Sequence, residues 1–192
     1  MTSFRHREVD LALLAVAAAW GASYLVAKDL TQHASVPTVL ALRFLVAAAA
    51  LAGIWLVSRP RIDARTLIAG MAFGATLAVI LFLETAGVAR TSATNAGLII
   101  SLAIVFTPIL DGIAARRHLP RPYFIATTGA IVGVSLLVGG SGFEMPTVGD
   151  ALVLGAAVVR AFQVTALGHS QRAQGVDTLA LTLVQNSFCA LI

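Results

Sequence analysis

Charge is what this chain has least of. Only 11% of its 192 residues are charged, with lysine present once and glutamate three times, against about 25% in a soluble domain. Hydrophobic residues make up 58% even without the 16 glycines. A folded domain of this size keeps a large part of its surface in solvent, and so few polar side chains cannot cover it. A water-soluble fold is excluded, and the chain is read as integral to a membrane. Cysteine is nearly absent too: Cys189 stands alone, which rules out an internal disulfide and leaves a buried thiol as the expected reading. Enzyme signatures are also missing. There is no His-Glu-x-x-His pair, and the four histidines lie near loops without metal-ligand spacing. Val148-Gly149-Asp150 follows Thr147 rather than the glycine of an intramembrane aspartyl protease. No enzymatic activity, metal or cofactor is expected.

The net charge of +4 comes from twelve arginines and one lysine. They sit in short clusters between apolar runs, without the interleaved aromatics of a nucleic-acid surface, so no nucleic-acid partner is expected. The apolar runs cover residues 11–27, 37–57, 66–83, 91–110, 122–143, 151–171 and 178–192. A helix needs about 20 residues to cross the hydrocarbon core, and most of these runs approach that length. The last offers roughly 22 Å of helix at 1.5 Å per residue. Period-two alternation is lacking and Ala and Leu abound, so helices are predicted and a membrane barrel is not. Gly70 with Gly74 and Gly129 with Gly133 have the spacing of close helix packing, and Pro108 predicts a kink in the fourth run.

Basic residues sort the loops. With the N-terminus in the cytoplasm, Arg5, Arg7, Arg59, Arg61, Arg65, Arg116, Arg117, Arg121 and Arg172 all fall inside, whereas Lys28 and Arg90 fall outside. A cleavable signal is the competing reading of Arg5-His6-Arg7 and the run ending in Ala17-Ala18-Ala19; Glu8 and Asp10 beside that run speak against it.

Sliding the sequence by 140 residues aligns Asp10 with Asp150, Leu14 with Leu154, Ala17 with Ala157, Val36 with Val176 and Thr38 with Thr178. The Asp in each copy opens a helix, placed to act as an N-cap or to favour the helix dipole. Five spans separate the copies, and an odd number inverts the second, as in secondary transporters. The expected architecture is therefore an all-α membrane protein with seven transmembrane helices of an expected ten, in inverted five-helix repeats. Residues 1–145 would form the first repeat and 146–192 the first two helices of an incomplete second.

Trp20-Gly21-Ala22-Ser23-Tyr24, Leu42-Arg43-Phe44, Glu84-Thr85-Ala86-Gly87, the stretch Thr91 to Gly97 and Pro108-Ile109-Leu110 together resemble the EamA type of the drug/metabolite transporter superfamily. The resemblance implies ten helices with both ends cytoplasmic. It also implies a cavity between the repeats and export or exchange of small metabolites across a bacterial inner membrane. The sequence departs from similar ones at Glu84, often Gln there, and at Arg160, often Trp, which would match Trp20 at the offset of 140. The alternatives are a truncated, transport-inactive membrane fragment and a non-transport seven-helix receptor. The expected partners are a small-molecule substrate and the lipid bilayer, with a homodimer as a candidate assembly.

A charge in the bilayer costs about 2.5–3.5 kcal/mol on insertion scales and marks a candidate site. Arg160 lies about ten residues from either end of its run, too deep to snorkel, and should face a cavity or a carboxylate. Arg43, roughly 9 Å below the outer interface, can meet Glu84 and Lys28 there. Glu84 would then be an ion-pair partner of Arg43 or Lys28, or a proton carrier. Trp20 shares a helix face with Ser23 and Tyr24, suited either to an amphipathic substrate or to an aromatic belt at the interface. Asn95 and Gln163 complete the cavity candidates. Like Gln185 and Asn186, they are of a kind more often interhelical glue than ligand contact.

Overall fold

The computed structural model describes residues 2–59, 62–116, 118–139, 147–174 and 177–191. Among them every regular element is helical: α1 (Thr2–His33), α2 (Val36–Ser58), α3 (Ala64–Val88), α4 (Ala93–Ser101), α5 (Ala103–Ala114), α6 (Arg121–Gly139), α7 (Val148–Gln174) and α8 (Thr178–Leu191). Because α4 and α5 are two halves of one rod, seven helices result. Four of them, at Val36–Ser58, Ala64–Val88, Ala93–Ala114 and Val148–Ser170, are long and apolar enough to cross a membrane.

Local chemistry sets most of the helix starts. Asp63 caps α3 by accepting from the Thr66 N–H at 2.8 Å, and hydrogen bonding from Thr66 holds its carboxyl below the usual carboxylate range. Ser92 caps α4 by accepting from the Asn95 N–H at 3.0 Å. Ser35 precedes α2, whose first turn carries Pro37, where a missing N–H costs no helical bond. The expectation that Asp10 opens a helix is not met: α1 begins at Thr2, so Asp10 lies in its interior. Asp150 is not the N-cap of α7 either, since Thr147 takes that place by accepting from the Asp150 N–H at 3.2 Å; it stands in the first turn, where it favours the helix dipole and its carboxylate accepts from the Thr147 N–H at 2.8 Å and hydroxyl at 2.9 Å. Val176 lies outside the described residues.

The interruption of the fourth run falls at Leu102, six residues before Pro108, which itself sits inside α5. There the Leu102 N–H bonds the Ile99 carbonyl at 3.1 Å, a tighter i to i−3 step than the α-helical one.

Helix α3 is central. It packs along α7 and α8 and also meets α1, α2 and α4. Tyr24 meets Glu84, and one turn later Lys28 meets Val88, so α1 and α3 run parallel. Helix α7 runs against both. It begins with Gly149 and Val153 against Gly87, and Gln163 further on reaches back to Phe73. Small residues permit these approaches: Val153, Ala156, Ala157 and Ala161 on α7 are fully buried. Gly70 and Gly74 face α8, where a Cβ on Gly74 would come 2.6 Å from the Gln185 carbonyl. Gly129 and Gly133 share that spacing, yet a Cβ on either would meet nothing within 4 Å.

This contrast sets a test. Gly74→Ala should destabilise the chain by about 1–3 kcal/mol through overpacking, whereas Gly129→Ala should not. Thermal unfolding of both variants in the same lipid or detergent checks it, and equal losses would contradict the α3–α8 contact.

Candidate functional site

The one carboxylate deep in α3 organises the site. Glu84 is only 2% exposed, and both of its oxygens are engaged. The Tyr24 hydroxyl donates to Oε1 at 2.8 Å, and Arg160 Nη2 donates to Oε2 at 2.6 Å. The parallel course of α1 puts Tyr24 level with Glu84, and the opposed course of α7 brings Arg160 down to the same level. The Arg160 guanidinium carbon also lies 5.1 Å from the centroid of the Trp20 ring, within the range of a cation–π contact. Three helices thus converge on one ion pair. Away from water a charge is stable only when paired and hydrogen-bonded, and here the acid receives two donors while the cation receives an anion and a ring face.

Above this node Lys28 takes a different role. Its ammonium donates to the carbonyls of Val88 at 3.0 Å and Ala89 at 3.2 Å, capping the negative end of the α3 dipole. The expected pairing of Glu84 with Arg43 or Lys28 is therefore replaced by pairing with Arg160. The two candidate cations lie nearer along the sequence pattern, but the rotation of α7 about α3 decides the partner. Arg43 is half-buried and, among the described residues, makes no ion pair.

A cleft of about 570 Å³ opens beside the node, between α1, α4–α5 and α7. Trp20, Tyr24 and Arg160 form its polar wall, and Gly97, Ile100 and Pro108 are part of its apolar one. A larger groove of about 790 Å³ between α2, α3 and α8 has no charged side chain on its walls. Ligand sites combine an apolar lining with a few convergent polar groups, which favours the smaller cleft.

The remaining candidates are distributed around it. Tyr24 is buried, so it does not serve in an interfacial belt. Ser23 shares the helix but not the cleft, since its hydroxyl donates to the Trp20 carbonyl at 2.6 Å. Gln163 donates to the Phe73 carbonyl on α3 at 2.9 Å, and Asn186 to the Thr182 carbonyl of its own helix at 2.9 Å. Asn95 lies near the start of α4, close to the Asp150 carboxylate. Asp111, near the end of α5, lies 3.0 Å from His169 Nε2 at the far end of α7.

One feature was missed in the sequence: Thr91 donates its hydroxyl to Asp150, fastening the α3–α4 turn to the start of α7. Gly149 makes this possible, since a Cβ there would come 2.7 Å from the Gly87 carbonyl. Thr147-x-x-Asp150 has the spacing of a capping box, but nothing local announces Thr91 as its third member. Among the described residues no group of three or more His, Cys, Asp or Glu could hold a metal ion.

A helical bundle with membrane-crossing spans, gathered on a buried ion pair beside an open cleft, has the form of a multi-pass membrane transport protein. Residues 8–139 match the EamA-like transporter family, and the chain belongs to that family. It is 28% identical over 171 residues to an uncharacterized transporter of Archaeoglobus fulgidus, covering 89% of this chain and 52% of that relative. The chain thus spans about half the length of the curated relative it matches. No solved structure matches it.

Breaking a buried pair by removing one partner costs about 3–5 kcal/mol. Glu84→Gln and Arg160→Gln are each expected to destabilise on this scale, and the double variant is expected to lose much less than the two together. Additive losses in a double-mutant cycle would show that the pair is not coupled.

Proposed function

We propose that this chain forms the substrate-binding part of an inner-membrane secondary transporter that exports or exchanges small metabolites. The observation that carries the reading is the Tyr24–Glu84–Arg160–Trp20 node at the wall of an otherwise apolar cleft, because charges placed inside a bilayer line pathways far more often than they decorate lipid-facing surfaces. Family membership supports transport as the activity.

The wider architecture is a ten-helix protein of two inverted five-helix repeats, residues 1–145 forming the first and 146–192 opening the second. Two features support it. Helices α1 and α7, which head the two copies, run in opposite directions. Trp20 and Arg160, equivalent at the offset of 140, touch each other, as positions close to a two-fold axis would. The cleft then lies beside that axis, where inverted-repeat transporters bind their substrates. Orientation with the N-terminus in the cytoplasm rests on the nine basic residues at one set of helix ends against two at the other.

Within this reading Trp20 stacks on the substrate and Tyr24 orients Glu84. Arg43 adds positive charge nearby, and Asn95 and Gln163 hold neighbouring helices. Glu84 is the coupling residue: a proton on it cancels the attraction that holds Arg160, so proton movement and rearrangement of the cleft are linked.

Expression of the full ten-helix protein in a bacterium, with efflux measured over a panel of metabolites, should raise the export of at least one. Arg160→Gln should lower that rate about tenfold, the scale of losing one charge-assisted hydrogen bond. Glu84→Gln should flatten its pH dependence; an unchanged pH profile would dispose of the coupling role. A reporter fused after Arg61 should read as cytoplasmic.

A further inference from the structure

Among the residues lining the cleft Arg160 is the one charged side chain, and Glu84 is the carboxylate paired with it. Of the Arg160 nitrogens, only Nη2 donates a hydrogen bond among the described residues, and Nε is buried without a partner. A guanidinium carries five N–H donors in a planar fork built for a carboxylate. Here most of the fork is unused while its side chain lines the cleft. Beside it stands the Trp20 ring, 48% exposed, and beyond that Ile100, Ile104, Pro108 and Val164 supply apolar wall. The hydroxyls of Ser101 and Thr107, also on the wall, are already donated to the carbonyls of Leu98 and Ala103. They contribute acceptors only, so an anion has to take its donors from Arg160.

We infer that the substrate is a small organic anion, a carboxylate on an apolar or aromatic body, whose charged end takes the free donors of Arg160 while its body lies against Trp20. The inference rests on the proposal that the cleft is the substrate site, and it goes further by fixing the sign of the charge. It also assigns Glu84 a second part. Glu84 holds the guanidinium through one edge and repels a second carboxylate, so it acts as an internal competitor for the ligand. Removing its charge strengthens anion binding, whereas a purely structural salt bridge would leave ligand affinity unmoved or weaken it.

The chain has two tryptophans, and Trp55 lines the other groove. Trp55→Phe therefore leaves Trp20 as the only indole reporter. In lipid nanodiscs, its fluorescence is titrated with hydrocinnamate, the neutral hydrocinnamamide and the cationic phenylpropylamine, which share one apolar body. Saturable quenching is expected from hydrocinnamate, with the amide about tenfold weaker and the amine weaker still. Glu84→Gln should tighten hydrocinnamate binding about tenfold and leave the amide unchanged. The double variant Glu84→Gln/Arg160→Gln, which removes both members of the ion pair, should lose the preference for acid over amide that Glu84→Gln shows.

Equal binding of acid and amide in the parent, preference for the amine, or no tightening by Glu84→Gln would overturn the anionic class while leaving the cleft a binding site. Failure of all three probes to quench Trp20 saturably would overturn the cleft as the site along with it.

Discussion

A carboxylate carried into a bilayer has to bring its counter-charge with it, and in this protein that requirement ties three helices together. Glu84 is placed on the helix that touches most of the others, and its two oxygens draw in Tyr24 from α1 and Arg160 from α7. Neither partner could be satisfied by lipid. The ion pair therefore specifies the rotation of α1 and α7 about α3 as well as their proximity, which apolar packing between near-uniform Ala, Val and Leu surfaces does poorly. Desolvation makes such a pair a modest source of stability and a stronger source of specificity. Its Arg160 member also stands on the wall of the cleft.

Close packing does the rest of the positioning. Gly87 and Gly149 let the start of α7 press on the end of α3, and the Thr91–Asp150–Thr147 cluster locks that contact at the helix ends. Gly70 and Gly74 do the same for α8 lower on α3. Arg160 thus hangs from a helix held at its start, some ten residues away, and along its small-residue face.

The helices themselves were plain in the sequence, because long apolar runs with Ala and Leu in place of alternation leave little other choice. Depth along its run also marked Arg160 as a residue that must face a cavity or a carboxylate. Which carboxylate it would find was not legible: Glu84 is 76 residues away, and the choice over Arg43 or Lys28 depends on helix rotation, a property of the assembled bundle. Lys28 illustrates the same point, since its ammonium caps the end of α3, a target made of backbone carbonyls that no side-chain pattern reveals. Asp10 misled because it resembles Asp150 in position, while the preceding residues continue α1 instead of breaking it. Gly129 and Gly133 misled because spacing identifies a face able to pack closely, not whether a neighbour lies there.

The account stands on direct contact between Glu84 and Arg160 inside the bilayer. Solid-state NMR on the chain in lipid, with carbon-13 at the Glu84 carboxyl and nitrogen-15 at the Arg160 guanidinium, measures that contact through their dipolar coupling. A coupling strong enough for the 2.6 Å hydrogen bond is expected. A coupling too weak to detect, with Arg160 turned toward acyl chains, would contradict it.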